Sequence, residues 1–99
     1  MRVQFTDESL EDLYEIENYL LEKWSITVFD NFIDRFYSIV EIILEGNVIF
    51  QKYEDTDYHK ILLTKNNTLI YLVENDVLKI IRILQNFQNP EHNYKDILD

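Results

Sequence analysis

The apolar residues of this chain change period once, and that change limits the folds open to it. From Thr6 to Gly46 they recur at helical spacing. From Tyr58 to Leu84 they come in short runs rich in Ile, Leu and Val, punctuated by Asn and Asp. The first pattern belongs to amphipathic helices and the second to strands joined by tight turns. A helical segment followed by a run of strands indicates an α+β domain, with helices laid on a sheet.

Local signals set the boundaries. Arg2-Val3-Gln4-Phe5 alternates polar and apolar residues and reads as a short strand. Thr6 is placed to cap a helix, with Asp7, Glu8, Glu11 and Asp12 in its first turns, where the positive end of the helix dipole favours carboxylates. Leu10, Leu13, Ile16, Leu20 and Trp24 give that helix its apolar stripe, ending near Ser25. From Val28 a stronger repeat (Phe29, Phe32, Ile33, Phe36, Ile39, Val40, Ile43) predicts a second helix. Gly46, the only glycine in the chain, is suited to a left-handed C-cap.

Residues 47–57 read as a linker. Strands are then expected over Tyr58–Thr64, Thr68–Val73 and Val77–Leu84, with turns at Asn66-Asn67 and Asn75-Asp76, because Asn and Asp tolerate the positive φ of two-residue hairpin turns. TLIYLV is apolar on both faces and should be central. Pro90 closes an irregular stretch, and EHNYKDILD suggests a short terminal helix. The order βααβββ therefore predicts a helical hairpin on one face of a small antiparallel sheet, whose other face stays available for a partner.

Ninety-nine residues support one core, so residues 1–99 are taken as a single domain. The formal net charge of −10 is unevenly spread: residues 1–57 hold 14 acids and 4 bases, and residues 58–99 hold five of each. An acidic field of this kind repels phosphate backbones, which argues against direct binding to nucleic acid and in favour of a protein partner. The absence of cysteine excludes a disulfide framework, a thiolate metal site and a cysteine nucleophile. MRVQFTDESL lacks the apolar run of a signal peptide, and no stretch reaches membrane-spanning length, so a cytoplasmic location without membrane contact is expected.

Three strings carry a family resemblance: DLYEIENYLLEK, FIDRFYSIVEIIL and, most specifically, IYLVENDVLKIIRILQNFQNPE. With the βααβββ order they resemble the RelE/ParE superfamily of toxins from type II toxin–antitoxin systems. The resemblance implies a cognate antitoxin as partner and one of two modes of action. RelE-like members cleave messenger RNA on the ribosome, using bases on the last strands and a basic or tyrosine-bearing C-terminal segment. ParE-like members inhibit DNA gyrase without a catalytic set. Thr68 and Phe87 stand where the first mode wants cations, while Arg82-Ile83-Leu84 with Pro90-Glu91 looks closer to the ParE-like branch. Asn86 and Gln88 depart from the His or Arg of many relatives. Binding to gyrase is thus the expectation, with ribosome-dependent RNA cleavage or a non-toxic interaction domain as alternatives, and no cofactor.

Arg82 and Tyr94 are the candidate catalytic residues, and Lys60, Lys65, Lys79 and Arg82 the candidate partner-binding cations. Three positions apart on one strand, Lys79 and Arg82 should face opposite ways. One then points to the helices, to snorkel or pair with a carboxylate, while the other joins Lys60 and Lys65 in a basic patch. Asp55, Asp57 and His59 are spaced like ligands, but two carboxylates and an imidazole are not a specific zinc set, so a solvated linker and no metal are expected. Glu8, Asp12 and Glu15 share one helix face and read as solvated. Ser9, Ser25 and Ser38 have no histidine partner in any motif, and one glycine cannot build a phosphate loop.

Overall fold

The computed structural model describes residues 1–46 and 48–85. Its elements are β1 (Arg2–Phe5), α1 (Asp7–Lys23), α2 (Ile26–Glu45), β2 (His59–Thr64), β3 (Asn67–Glu74) and β4 (Val77–Gln85). The proposed terminal helix and the residues around Pro90 lie outside the described residues.

Both helices begin and end where their local chemistry dictates. The Thr6 hydroxyl accepts from the Ser9 backbone N–H at 3.0 Å, and the Ser25 hydroxyl accepts from that of Val28 at 3.1 Å, so each satisfies an amide that the first turn leaves free. Gly46 closes α2 at φ 76°, a conformation that costs a side chain about 1–2 kcal/mol and glycine almost nothing. Val28, Phe32, Phe36, Val40 and Ile43 are the buried residues of α2, at spacings of four and three. They meet Ile16 and Leu20 of α1 and Leu69, Tyr71, Leu78, Ile80 and Ile83 of the sheet in one core. Leu10, read as part of the buried stripe, is instead 50% exposed while Ser9 is buried. One residue turns a helix by about 100°, and the line through Ser9, Ile16 and Leu20 faces the core.

The strand order is β1-β4-β3-β2. β3 is central, as its two apolar faces predicted, and it pairs antiparallel with both β2 and β4. The sheet is mixed rather than wholly antiparallel, because β1 runs parallel to β4, from Arg2 opposite Val77 to Phe5 opposite Ile80. The Asn75-Asp76 turn has both residues in the left-handed region, at φ 54° and 62°, as its composition predicted.

The turn before it differs from expectation. Its two residues are Lys65 and Asn66, neither with positive φ, and Asn67 already belongs to β3. Thr64 holds it by side chain, donating to Asn67 Oδ1 at 2.8 Å while accepting from the Asn66 N–H at 3.0 Å. The segment read as a linker folds back along β2: Lys52 bridges His59, and the Lys60 N–H donates to the Gln51 carbonyl at 2.9 Å. Part of that sheet edge is thereby covered.

Candidate functional site: the α1–β4 edge and the face opposite the helices

β1 ends opposite Ile80, so the rest of β4 has no strand beside it on that edge. α1 takes the strand's place. The Thr6 N–H donates to the Ile80 carbonyl at 3.1 Å, and the Thr6 hydroxyl donates to the Ile81 carbonyl at 2.8 Å. One helical stretch further on, Asp12 Oδ2 accepts from the Ile83 N–H at 2.8 Å. The same carboxylate receives the Arg82 guanidinium as a fork, Nε to Oδ2 at 2.7 Å and Nη2 to Oδ1 at 2.9 Å. Together these contacts occupy the Ile80 and Ile81 carbonyls and the Ile83 amide, groups that an open strand would present to a second chain.

A bulge in the β3–β4 ladder decides where Arg82 sits. Ile70 pairs with Arg82 and Tyr71 with Ile80, which leaves Ile81 as an extra residue and reverses the alternation beyond it. The rows Ile61–Leu69–Ile83 and His59–Tyr71–Ile80 therefore face the helices, and the row Lys60–Ile70–Arg82 faces away. Leu72 opposite Lys79 also faces away. Lys79 and Arg82 thus share a face, contrary to simple alternation. Of the four candidate cations, register brings Lys60, Lys79 and Arg82 to the face opposite the helices, while Lys65 lies in the β2–β3 turn.

Lys79 pairs with Glu74 at 3.2 Å, and Arg82, from the far face, reaches back over the β4 edge to Asp12. That face is unevenly solvated: Leu62 is 58% exposed, whereas Ile70 is buried. Thr68 occupies β3 between Leu62 and Leu84. Tyr94, Phe87, Asn86, Gln88, Pro90 and Glu91 lie outside the described residues.

Asp12 was expected on a solvated face, but its side chain is only 11% exposed and Arg82 covers it. The Asp12 carboxylate, by accepting the guanidinium's hydrogen bonds, raises the Arg82 pKa above its already high ordinary value, with Glu8 and Glu15 adding in the same direction. Replacing Asp12 by Ala should cost about 2 kcal/mol, chiefly by leaving the Ile83 N–H without its acceptor. Arg82→Ala should cost less than about 1 kcal/mol, since the arginine side chain is half exposed and its ion pair is screened. Urea unfolding of the two variants checks the order, and equal losses would assign the stability to the ion pair instead.

His59 is likewise not in a solvated linker. Its ring stacks on Tyr71 with centroids 5.5 Å apart, and Nδ1 lies 2.8 Å from the Phe50 carbonyl, an acceptor only, so that nitrogen carries the proton. Burial pushes the Tyr71 phenol above its usual pKa, partly offset by a hydrogen bond with the Phe50 backbone. Both rings line a cleft of ≈ 260 Å³ between the end of α2 and the sheet. Asp57 points elsewhere, to a loose contact with Lys52 at 3.9 Å. Among the described residues no three His, Cys, Asp or Glu side chains are grouped to hold a metal, and no helix is long and apolar enough to cross a membrane.

Two helices on a four-stranded mixed sheet form a fold that solved structures share. A chain of the chromosomal ParDE toxin–antitoxin system from P. aeruginosa superposes with a TM-score of 0.68 at 14% identity, over 88% of this chain and 97% of that one. A YoeB/ParE toxin from Agrobacterium tumefaciens gives 0.63 at 12% identity, over 88% and 100%. The YoeB-YefM complex from Staphylococcus aureus gives 0.63 at 14% identity, over 86% and 95%. No family model matches the sequence, and neither does any curated protein. The fold is that of the RelE/ParE toxins, in agreement with the resemblance carried by the three sequence strings.

Proposed function

We propose that this chain is a single-domain cytoplasmic toxin of a type II toxin–antitoxin pair, that it arrests growth by binding a host protein, with DNA gyrase as the target, and that a cognate antitoxin neutralises it. The fold supports the class, and two of the similar structures belong to two-component assemblies, the YoeB-YefM complex and the ParDE system. The observation that carries binding over RNA cleavage is the chelate of Arg82 by Asp12: a guanidinium held in a fork by a carboxylate is not offered to a phosphate. On this reading Lys60, Lys65 and Lys79 contribute charge to a protein interface, and Arg82, neutralised by Asp12, contributes its exposed surface, instead of acid–base chemistry. Induction of the chain alone in a bacterium should stop growth, and co-expression of the small protein encoded beside it should restore growth. Undisturbed growth with soluble protein present would replace the toxin by a non-toxic interaction domain of the same fold.

A further inference from the structure

The buried stripe of α1 leaves a second apolar stripe on the solvent side. Leu10, Tyr14 and Leu21 are 50%, 64% and 45% exposed, and at about 100° per residue they fall within an arc of about 40°. Single exposed apolar residues are ordinary, but three in line on one helix make a stripe of the kind that interfaces use. Acids border it on both sides, with Glu11, Glu15 and Glu22 along one flank and Glu17 along the other. Glu22 has a loose contact with Lys23 at 3.8 Å, and Glu15 also borders a depression that it shares with Asp12 and Arg82. Leu10, Tyr14, Glu11 and Glu15 also line a shallow depression of ≈ 350 Å³.

We infer that this stripe docks a basic amphipathic helix of a partner protein, with apolar side chains at three- to four-residue spacing on Leu10, Tyr14 and Leu21, and Lys or Arg against the flanking glutamates. Charge decides among the occupants. An anionic lipid surface would be repelled by the glutamates. A second copy of α1 in an isologous contact would set the same carboxylates against each other. A basic helix satisfies the apolar stripe and both flanks together. Tyr14, amphipathic and the most exposed of the three, is the expected anchor. The partner chemistry of this surface does not depend on whether the chain is toxic.

The test uses the full chain and a fluorescent synthetic helix of about 20 residues, Leu at heptad spacing and Lys at the flanking positions, with a second peptide bearing Glu in place of Lys as control. Anisotropy should show the Lys peptide binding and the Glu peptide not binding. Tyr14→Asp with Leu21→Asp should weaken the Lys peptide about tenfold or more, as should Glu11→Lys with Glu15→Lys. All four residues are exposed, so circular dichroism should be unchanged. Glu41→Lys with Glu45→Lys on α2 is the control for general acidity and should alter binding less than about twofold. Equal binding of the two peptides, or equal loss with the α2 control, would overturn the inference, as would no binding at all. Growth arrest is a separate readout: wild type that binds the peptide without arresting growth removes the toxin and keeps the docking surface.

Discussion

Phe32→Ala is expected to lower the unfolding free energy by about 3–5 kcal/mol, the usual cost of removing a buried aromatic ring and leaving a cavity. Phe32 is 0% exposed, one helical turn from Val28 and one from Phe36, inside the core between helices and sheet. In a chain of this length such a loss corresponds to a fall in the thermal midpoint on the order of 20 °C. It would also remove a large part of the roughly 5–15 kcal/mol by which domains are stable, so a measurable unfolded fraction is expected at ambient temperature. Phe36, 2% exposed and with its ring 6.0 Å from that of Phe5, should behave alike. Tyr37, the next residue and 57% exposed with its ring 5.4 Å from that of Phe36, is the comparison: Tyr37→Ala should cost no more than about 1.5 kcal/mol. Calorimetry on the three variants measures this, and an unchanged midpoint for Phe32→Ala would mean that α2 packs on a different face.

What could be read from the sequence is local. Thr6, Ser25, Gly46 and the Asn75-Asp76 pair each act within a few residues of themselves, so their caps and turn were visible in the string of letters. The period-four repeat of α2 works the same way, because a helix face is fixed by spacing alone. The candidate site was less legible because it is built from contacts far apart in the chain. Asp12 and Arg82 are 70 residues apart, and nothing near Asp12 marks it as the acceptor for an edge amide of β4.

The position of Arg82 also depends on the bulge at Ile81, which reversed the alternation used to place it. KIIRIL carries no Gly or Pro to announce an extra residue, so strict alternation was the natural expectation and gave the wrong face for one of two cations. β1 could be recognised as a strand from RVQF, but its parallel pairing depends on which edge α1 and α2 leave open. The outer stripe of α1 was hidden for a similar reason: Leu10 fits a helical repeat on either side, and only packing shows which leucines of α1 are buried.

The mode of action should separate cleanly in a purified system: the protein is expected to inhibit DNA supercoiling by gyrase and to leave messenger RNA intact in a translating extract. RNA cleavage needs charge positioned where the phosphate becomes more negative and a group that moves a proton, and positioned charge is usually the largest catalytic contribution. On the described strands the central cation, Arg82, is already held by a carboxylate, and Thr68 offers neither charge nor a strong acid. A group that only binds weakens association when removed, whereas a catalytic group slows turnover while association survives. Arg82→Ala should therefore weaken gyrase inhibition in a graded, concentration-dependent way that excess protein restores, with the fold checked by circular dichroism because Asp12 loses its partner. Tyr94→Phe, outside the described residues, should leave inhibition unchanged. Site-specific cleavage of messenger RNA by the wild type, abolished in folded Arg82→Ala or Tyr94→Phe protein and not restored by concentration, would falsify binding as the mechanism and assign the chain to the ribonucleases of this fold.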